Sequence, residues 1–353
     1  MQKEYILGAG SMGCLLAHEL SQAFPKQVQP ILLFRNQSRL NQFRADGSQV
    51  RVIRRKDSNV STTTSILDSD RQPPFKDGKK QTIENLIVST KTHSTIKAID
   101  PYIDHLTANS SILILQNGMG MAQRLTERFW PTLKDRPKIF QAISSHGAYK
   151  SAPSDIHFVA PGKLSISYIP KPDEDSPDVE CPEAFKYILE TESLNASYLK
   201  YEDFLLIQME KLVVNACINP LSAILDCFNG QLLYGTNMVP IYKRVIREAV
   251  DVFEAEFKEL KKIPQANAVL GKERLLETVL TMNKATAQNS SSMREDVKHL
   301  AQTEVDWING YIVDLGTKHG ISTPTNIMLV DLVKSKLSID QSIEQEAAKL
   351  VVE

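Results

Sequence analysis

Residues 4–20 read EYILGAGSMGCLLAHEL. A short apolar run ends abruptly in a glycine turn, and apolar residues then recur at helical spacing through Leu15, Leu16, Ala17 and Leu20. The glycines Gly8, Gly10 and Gly13 stand at G-x-G-x-x-G. In a strand–turn–helix context the first glycine permits the tight turn. The second lets backbone approach a pyrophosphate, and the third lets helix and strand pack closely. The first turn of the helix then offers free N–H groups to the anion. This stretch reads as a dinucleotide-binding turn opening an α/β sheet.

Working outward, 30–34 reads as the second strand and is followed by Phe34-Arg35-Asn36-Gln37-Ser38-Arg39. A cofactor with a free ribose hydroxyl asks for Asp or Glu here. Arg35 suits a ribose phosphate instead, gripping it with two parallel hydrogen bonds, and so favours NADP over NAD. Its ordinary reading is a solvated loop residue. Segments 49–55 and 61–66 alternate with β-branched residues and predict an additional pair of strands, while 68–80 reads as loop. Segments 85–89 and 111–115 read as buried parallel strands ending at Thr90-Lys91-Thr92-His93 and Gln116-Asn117-Gly118-Met119-Gly120. Open α/β sheets bind ligands beyond the carboxyl ends of their strands. Lys91 could meet a phosphate there, and the Asn117 amide could bridge cofactor and substrate. An exposed lysine and a turn-forming Asn-Gly are the plain alternatives. A strand over 138–145 leads to His146, a residue type more often structural than catalytic at a strand end. Residues 157–168, with Pro161-Gly162 in the middle, suggest a hairpin, and 171–182 (KPDEDSPDVECP) an acidic surface loop. A helix over 183–191 and a last strand over 196–201 would close a first domain at 1–202.

From 203 to 353 the pattern is helical. Residues 211–230 read KLVVNACINPLSAILDCFNG and place Lys211, Asn215 and Asn219 at i, i+4 and i+8. On a helix that spacing drifts only ~40° per step, so the three side chains share a stripe. The stripe is either a polar site walled by core or a partly exposed face. Asp203 is the expected N-cap. Pro220 either kinks the helix or opens a second one capped by Asn219, and Asn229-Gly230 supplies a stop. Further helices are expected over 239–261 and 272–287, with the polar cluster NSSSM (289–293) after them. Thr303 is the expected cap of a helix whose core face is Trp307, Ile308, Tyr311, Ile312 and Leu315. Two short helices finish the chain, the last opening at Ser338 with Gln341 in capping-box position.

A reductase of a keto group needs a hydride donor, a proton donor and anchors for the rest of the substrate. Lys211 is the candidate acid, because burial lowers the pKa of an ammonium towards the useful range. Glu304 is the carboxylate placed to hold it. Asn215, Asn219, Asn229 and Ser292 could bind a small polar anion without adding charge. Each has an ordinary reading as well: a snorkelling lysine, caps and stops, a loop serine, a carboxylate complementing a helix dipole.

The chain's 353 residues allow two domains. Lysine and arginine number 41 against 42 acidic residues, for a net charge of −1, so no basic excess advertises nucleic acid or an anionic membrane. Cys14, Cys181, Cys217 and Cys227 form no CxxC pair and no zinc-spaced set with histidine, so no metal is expected and a reducing compartment fits. No run is read as reaching the ~20 apolar residues of a membrane span. With a strand inside the first eight residues, no cleavable presequence is expected. The expected location is the cytoplasm, an uncleaved mitochondrial address remaining open.

The motifs LGAGSMG, NGMG at 117–120, KLVVNACINPLSAIL at 211–225, NSSSM at 289–293 and TEVDWINGY at 303–311 together closely resemble the ketopantoate reductase (2-dehydropantoate 2-reductase) family. The match runs in the family's order from residue 4 to about 329. The resemblance implies an α/β Rossmann-type NADP-binding domain followed by an all-α domain of the 6-phosphogluconate dehydrogenase C-terminal type, with the substrate in the cleft between. It implies NADPH-dependent reduction of 2-dehydropantoate to (R)-pantoate on the route to pantothenate and coenzyme A. It places the proton-donating lysine at Lys211 and the glutamate contacting cofactor and lysine at Glu304. Substrate contacts fall on Asn117, Asn215, Asn219, Asn229 and Ser292. Cofactor contacts fall on Gly8, Ala9, Gly10, Ser11, Met12, Gly13, Arg35, Lys91, Asn117, the backbone at Ala148, and Glu304. The 157–191 region looks expanded, and 171–182 has no counterpart. The expected partner is a small keto acid, with neither nucleic acid nor membrane, and the expected state is monomer or homodimer. Rival readings are a reductase of another keto acid, and a non-enzymatic binding or regulatory relative, as some fungal members are in mitochondrial gene expression. The intact lysine, asparagine and glutamate set favours the enzyme.

Overall fold

β1 (Gln2–Leu7) runs into the glycine turn, and α1 (Ser11–Ala23) leaves it. The structure, a computed structural model, describes residues 1–56, 59–171, 174 and 179–350. The chain packs into two units, Met1–Gln116 with Met121–Phe204, and Asn117–Gly120 with Leu205 onward.

In the first unit, α1 is followed by β2 (Val28–Leu33), α2 (Gln37–Ala45), β3 (Gln49–Lys56), β4 (Asn59–Ile66) and β5 (Asp68–Asp70). Next come β6 (Phe75–Lys76), β7 (Lys79–Lys80), β8 (Asn85–Val88), α3 (Thr92–Ile99), β9 (Ser111–Leu115) and α4 (Met121–Phe129). β10 (Lys138–Ser144), β11 (Gly147–Ala152), β12 (Asp155–Ala160), β13 (Leu164–Tyr168), α5 (Glu183–Glu190) and β14 (Ala196–Tyr198) complete it. The main sheet has the order β14-β13-β10-β9-β8-β1-β2-β5. From β5 to β10 all pairings are parallel, and β13 turns antiparallel against β10. β8 and β9 are buried along their whole length, as strands covered on both faces must be. The chain order reverses between β1 and β8, the position at which such sheets bind ligands.

A second sheet, β11-β12-β3-β4, packs on the other side of α1. Covered on both sides, α1 buries eight successive residues from Gly13 to Leu20, including His18 and Glu19. The helix is therefore not one-sided, and its buried polar groups need partners. His18 Nε2 lies 2.9 Å from Thr63 Oγ1, and Glu19 accepts from Arg54 and Ser193.

Two expectations fail in this unit. The 68–80 segment is not plain loop: β5 extends the main sheet beside β2, and β6 and β7 pair with each other. The 157–168 segment is not a hairpin, because β12 pairs with β11 and β3 in the second sheet while β13 joins β10 in the first. Pro161-Gly162 marks the crossing. A Cβ on Gly162 would lie 2.5 Å from the Ser145 carbonyl carbon, so glycine serves a close pass there. Half of the 171–182 surface loop, residues 172–173 and 175–178, falls outside the described residues.

The second unit is helical: α6 (Tyr201–Ile224), α7 (Met238–Glu256), α8 (Ala266–Leu270), α9 (Lys272–Ala285), α10 (Ser292–Lys298), α11 (Val305–His319) and α12 (Pro324–Leu350). α6 is long and apolar enough to cross a membrane, contrary to the sequence expectation, yet 78% of its apolar window is buried inside the protein. It is a core helix. It runs unbroken through Pro220, although an interior proline typically costs about 3 kcal/mol or more. Asp203 sits in its first turn rather than capping it, where its charge complements the helix dipole. The helix ends at Ile224, and Asn229 instead opens a 3₁₀ turn, Asn229–Tyr234. α7 stops at Glu256 and a 3₁₀ turn, Lys258–Lys262, replaces its expected last stretch. The cap position of α11 is Glu304, with Thr303 Oγ1 accepting from Val305 N at 3.4 Å. The two expected terminal helices are one. Ser338 bonds back to Ser335 O within α12, and Gln341 donates to Leu300 O instead of closing a capping box.

Candidate active site

Local geometry accounts for two of the three fingerprint glycines. Gly8 has φ +113°, and a Cβ on Gly13 would lie 2.1 Å from Gly8 O. Ser89, at the end of β8, ties the turn by donating to Gly8 O at 2.7 Å. Gly10 differs, since its Cβ would meet nothing closer than Ser89 O at 3.9 Å. The fold does not itself demand glycine there, whereas a ligand lying on the backbone would. Gly10 is also the cap position of α1, without a side-chain cap and without an acidic residue in the first turn. That open, uncontested helix N-terminus fits the pyrophosphate of a dinucleotide.

The other first-unit residues gather at the same strand ends. Arg35 is exposed just beyond β2, whose Leu33 carbonyl accepts from Gly8 N at 3.4 Å. Lys91 is exposed at the cap position of α3, two residues after Ser89. Ala148 lies half-buried on β11 against the α1 core. Ala9, Ser11 and Met12 are half-buried in the turn itself. Sequence reading missed Lys150, whose ammonium donates to Ala9 O at 2.8 Å and Pro153 O at 2.7 Å, pinning the turn from β11. No local pattern marks it, because the pairing spans 141 residues.

In the second unit Lys211 Nζ donates to Asn117 Oδ1 at 3.1 Å, and Asn117 Nδ2 lies 3.4 Å from Glu304 Oε2. Lys211 as a whole is half-buried, and burial of its ammonium lowers the pKa from 10.5 to about 8, the Glu304 charge pulling the other way. Such an ammonium is charged at neutral pH and close to releasing its proton. Glu304 is itself 5% exposed. The Asn117–Gly120 loop is laid flat on the start of α11, with Met119 N donating to Trp307 O at 3.1 Å. Gly118 makes this possible, having φ +82° and a Cβ position only 2.4 Å from Trp307 O. The turn reading and the binding reading of Asn117 are thus complementary, since the turn is what carries the amide to Glu304.

Because α6 continues through Pro220, Lys211, Asn215 and Asn219 keep their common stripe, spanning about 12 Å of helix. Asn215 is half-buried and Asn219 is 8% exposed. Past Asn219, Ser222 Oγ lies 3.0 Å from Asn219 O and 2.7 Å from Ser291 Oγ. Ser291 is the cap of α10, accepting from Arg294 N at 3.0 Å, and Ser292 follows it, exposed. Asn229 N donates to Asn289 O, its Nδ2 donates to Thr286 Oγ1 at 3.0 Å, and its Oδ1 is buried with no partner among the described residues. The 3₁₀ turn, the NSSSM segment and the end of α6 are therefore stitched together.

His146 is fully engaged. Its Nδ1 accepts from Gly162 N at 2.9 Å and its Nε2 donates to Leu194 O at 2.8 Å, which makes it a buried strut between the connection before β13 and the 3₁₀ turn Glu192–Leu194. Among the described residues no cluster of His, Cys, Asp or Glu is placed to hold a metal ion.

The family model "Ketopantoate reductase PanE/ApbA" matches residues 5–171, and "Ketopantoate reductase PanE/ApbA C terminal" matches residues 203–337. The chain is 37% identical over 342 residues to a probable 2-dehydropantoate 2-reductase of Schizosaccharomyces pombe, covering 96% of this chain and 97% of that one. It is 29% identical over 371 residues to the 2-dehydropantoate 2-reductase of Saccharomyces cerevisiae, covering 96% and 95%. Among solved structures it resembles a D-mandelate dehydrogenase ternary complex with NADH and anilino(oxo)acetate, at TM-score 0.76 and 21% identity over 96% of this chain and 100% of that one.

Proposed function

The chain belongs to the ketopantoate reductase family of oxidoreductases, and from that premise we propose that it reduces 2-dehydropantoate to (R)-pantoate with NADPH. The observation that carries the reading is the Lys211–Asn117–Glu304 set, a buried ammonium with lowered pKa tethered through one amide to a buried carboxylate. A reduced nicotinamide, when bound at the glycine turn, supplies the hydride. Lys211 polarises the keto oxygen and gives its proton to the developing alkoxide, then regains one from solvent. A charged donor aimed at a developing oxyanion is typically worth several kcal/mol. Glu304 keeps Lys211 protonated, and Asn117 keeps its ammonium in one place.

Asn215 and Asn219 offer amides along the same stripe for the substrate carboxylate. The unpaired Asn229 Oδ1 is an acceptor that the substrate hydroxyl would satisfy, and the exposed Ser292 at the start of α10 offers a further hydroxyl. Arg35, exposed beyond β2, supports NADPH over NADH because it can pair with a ribose phosphate. The reading includes a cytoplasmic monomer or homodimer acting on a small keto acid alone.

The test is oxidation of NADPH and of NADH with ketopantoate beside a panel of other 2-keto acids, on the wild type, Lys211→Ala and Arg35→Ala. Ketopantoate with NADPH should be the preferred pair. Lys211→Ala should lose turnover by orders of magnitude, and Arg35→Ala should erase the preference for NADPH. A Lys211→Ala enzyme with near-normal turnover removes that residue from its role. A wild type that binds NADPH yet reduces none of the panel removes the activity.

A further inference from the structure

Pro220 lies inside α6 and has no N–H for the carbonyl of Ala216, four residues back. That carbonyl is nevertheless satisfied. The Asn309 side chain, reaching over from α11, donates Nδ2 to Ala216 O at 3.0 Å. The same amide nitrogen donates its second hydrogen to Asn326 Oδ1 at 3.0 Å. Asn326 in turn donates Nδ2 to Glu248 Oε2 at 2.8 Å, and Glu248 also accepts from Thr325 N and Asn326 N, both at 3.0 Å. Asn309 and Asn326 are fully buried and Glu248 is 2% exposed.

This relay has a direction. A carboxylate only accepts, so Glu248 forces the NH₂ edge of Asn326 towards itself and leaves Asn326 Oδ1 facing Asn309. Asn309 then faces two acceptors, Asn326 Oδ1 and Ala216 O, and only its NH₂ edge satisfies both. The cost is visible, for Asn309 Oδ1 is buried without a partner among the described residues. A side chain held in this orientation at the expense of its own oxygen is placed for Ala216 O. Helices kink sharply at proline, where the missing bond lets the turn open. The turn whose open carbonyl Asn309 satisfies, 216–220, carries Asn219 on from Asn215.

We propose that Asn309 is a positioning residue: its amide replaces the hydrogen bond Pro220 cannot give, and so fixes the direction of Asn219 relative to Lys211 and Asn215. The proposal rests on the reading of Asn219 as a substrate contact. It gives the Trp307-Ile308-Asn309 stretch of α11 a part in substrate binding without touching substrate.

Restoring the missing N–H is the test. In an Asn309→Ala enzyme KM for the keto acid should rise on the order of tenfold while kcat stays within about twofold, since orientation for binding is lost and the proton donor remains. Pro220→Ala returns a backbone donor to Ala216 O. In the Pro220→Ala background, adding Asn309→Ala should therefore change KM by less than about twofold. Asn326→Ala, which removes the acceptor that helps hold Asn309 in this orientation, should lower the urea midpoint and raise KM, though by less than Asn309→Ala because Ala216 O still faces the Asn309 amide. An equal rise in KM with and without Pro220 overturns the proposal, because a merely structural asparagine would behave that way. If Asn309→Ala alone is recovered unfolded, recovery of folded, active Pro220→Ala/Asn309→Ala supports it, and loss of both overturns it. Should the wild type fail to reduce any keto acid, the functional reading falls separately. Urea midpoints of the wild type, the two single variants and the double variant then decide: Asn309→Ala must cost more in the wild-type background than in the Pro220→Ala background, and equal costs end the proposal.

Discussion

Replacing Glu304 by glutamine should move the alkaline limit of reduction to lower pH. The Lys211 ammonium has its pKa lowered to about 8 by burial, and the Glu304 charge is what resists that fall. A proton donor must be protonated, so kcat/KM for reduction should be flat below pH 8 and decline above it in the wild type. Glutamine keeps an oxygen for Asn117 Nδ2 and removes only the charge. One amide separates the two groups, 3.1 Å from the ammonium and 3.4 Å from the carboxylate, and charges bridged in that way lie on the order of 7 Å apart. At that distance their attraction is about 2 kcal/mol for an effective dielectric near 20. One pH unit corresponds to ~1.4 kcal/mol, so the break should fall by between one and two units. At pH 7 most of the variant would then carry a neutral lysine, and its rate should recover on acidification to about pH 6. Initial rates from nicotinamide absorbance across this range, with ketopantoate well below KM, give the profile. A break that stays near 8 or moves upward refutes the electrostatic role of Glu304. A wild type without a break between about pH 7 and 9 refutes Lys211 as the titrating donor.

Lys211→Met should be more stable than the wild type at pH 7 while inactive. The folded pKa lies below the unfolded 10.5, so folding is penalised in full below pH 8 and progressively less up to 10.5. The penalty removed is at most about 3 kcal/mol by linkage, and chemical unfolding at pH 7 and pH 10 should show the gain shrinking with pH. Gly10→Ala should fold normally but bind NADPH weakly, because its Cβ meets no protein atom closer than 3.9 Å. Gly13→Ala should instead lose stability, its Cβ landing 2.1 Å from Gly8 O; fluorescence titration and thermal melts separate the two. Glu248→Ala should destabilise by about 3 kcal/mol or more, since it strips a buried carboxylate from two helix N-terminal N–H groups and the Asn326 amide. A loss under 1 kcal/mol in urea would show that water replaces the carboxylate there.

What the sequence showed depended on whether the cause of a feature is local. The glycine turn was legible because a positive φ and a close strand–helix approach leave few residue choices. β8 and β9 were legible because strands covered on both faces are continuously apolar. The crossing at Pro161-Gly162 was misread for the opposite reason. The local signal for a turn is real, but whether β13 pairs with β12 or β10 is settled by segments 20 or more residues away. The buried polar side of α1 was hidden in the same way, since the sheet that covers it is assembled from residues 49–56, 59–66, 147–152 and 155–160.

The site divides along the same line. Lys211, Asn215 and Asn219 could be read as a stripe because periodicity is carried by the helix itself. Whether that stripe survives Pro220 could not be read, and both readings of the proline assumed that the helix must bend or restart. The helix does not restart there, and the partner of Ala216 O comes from Asn309, 93 residues downstream, in a stretch whose Val305 and Ile308 are also buried. Glu304 and Asn309 stand on one short stretch. The first reaches Asn117 at Lys211, and the second reaches the carbonyl between Asn215 and Asn219. From one stretch, the start of α11 thus reaches α6 at Ala216 and, through Asn117, at Lys211. A single rigid helix setting both the charge at the proton donor and the path of the binding turn explains why α6 can carry a proline in its middle.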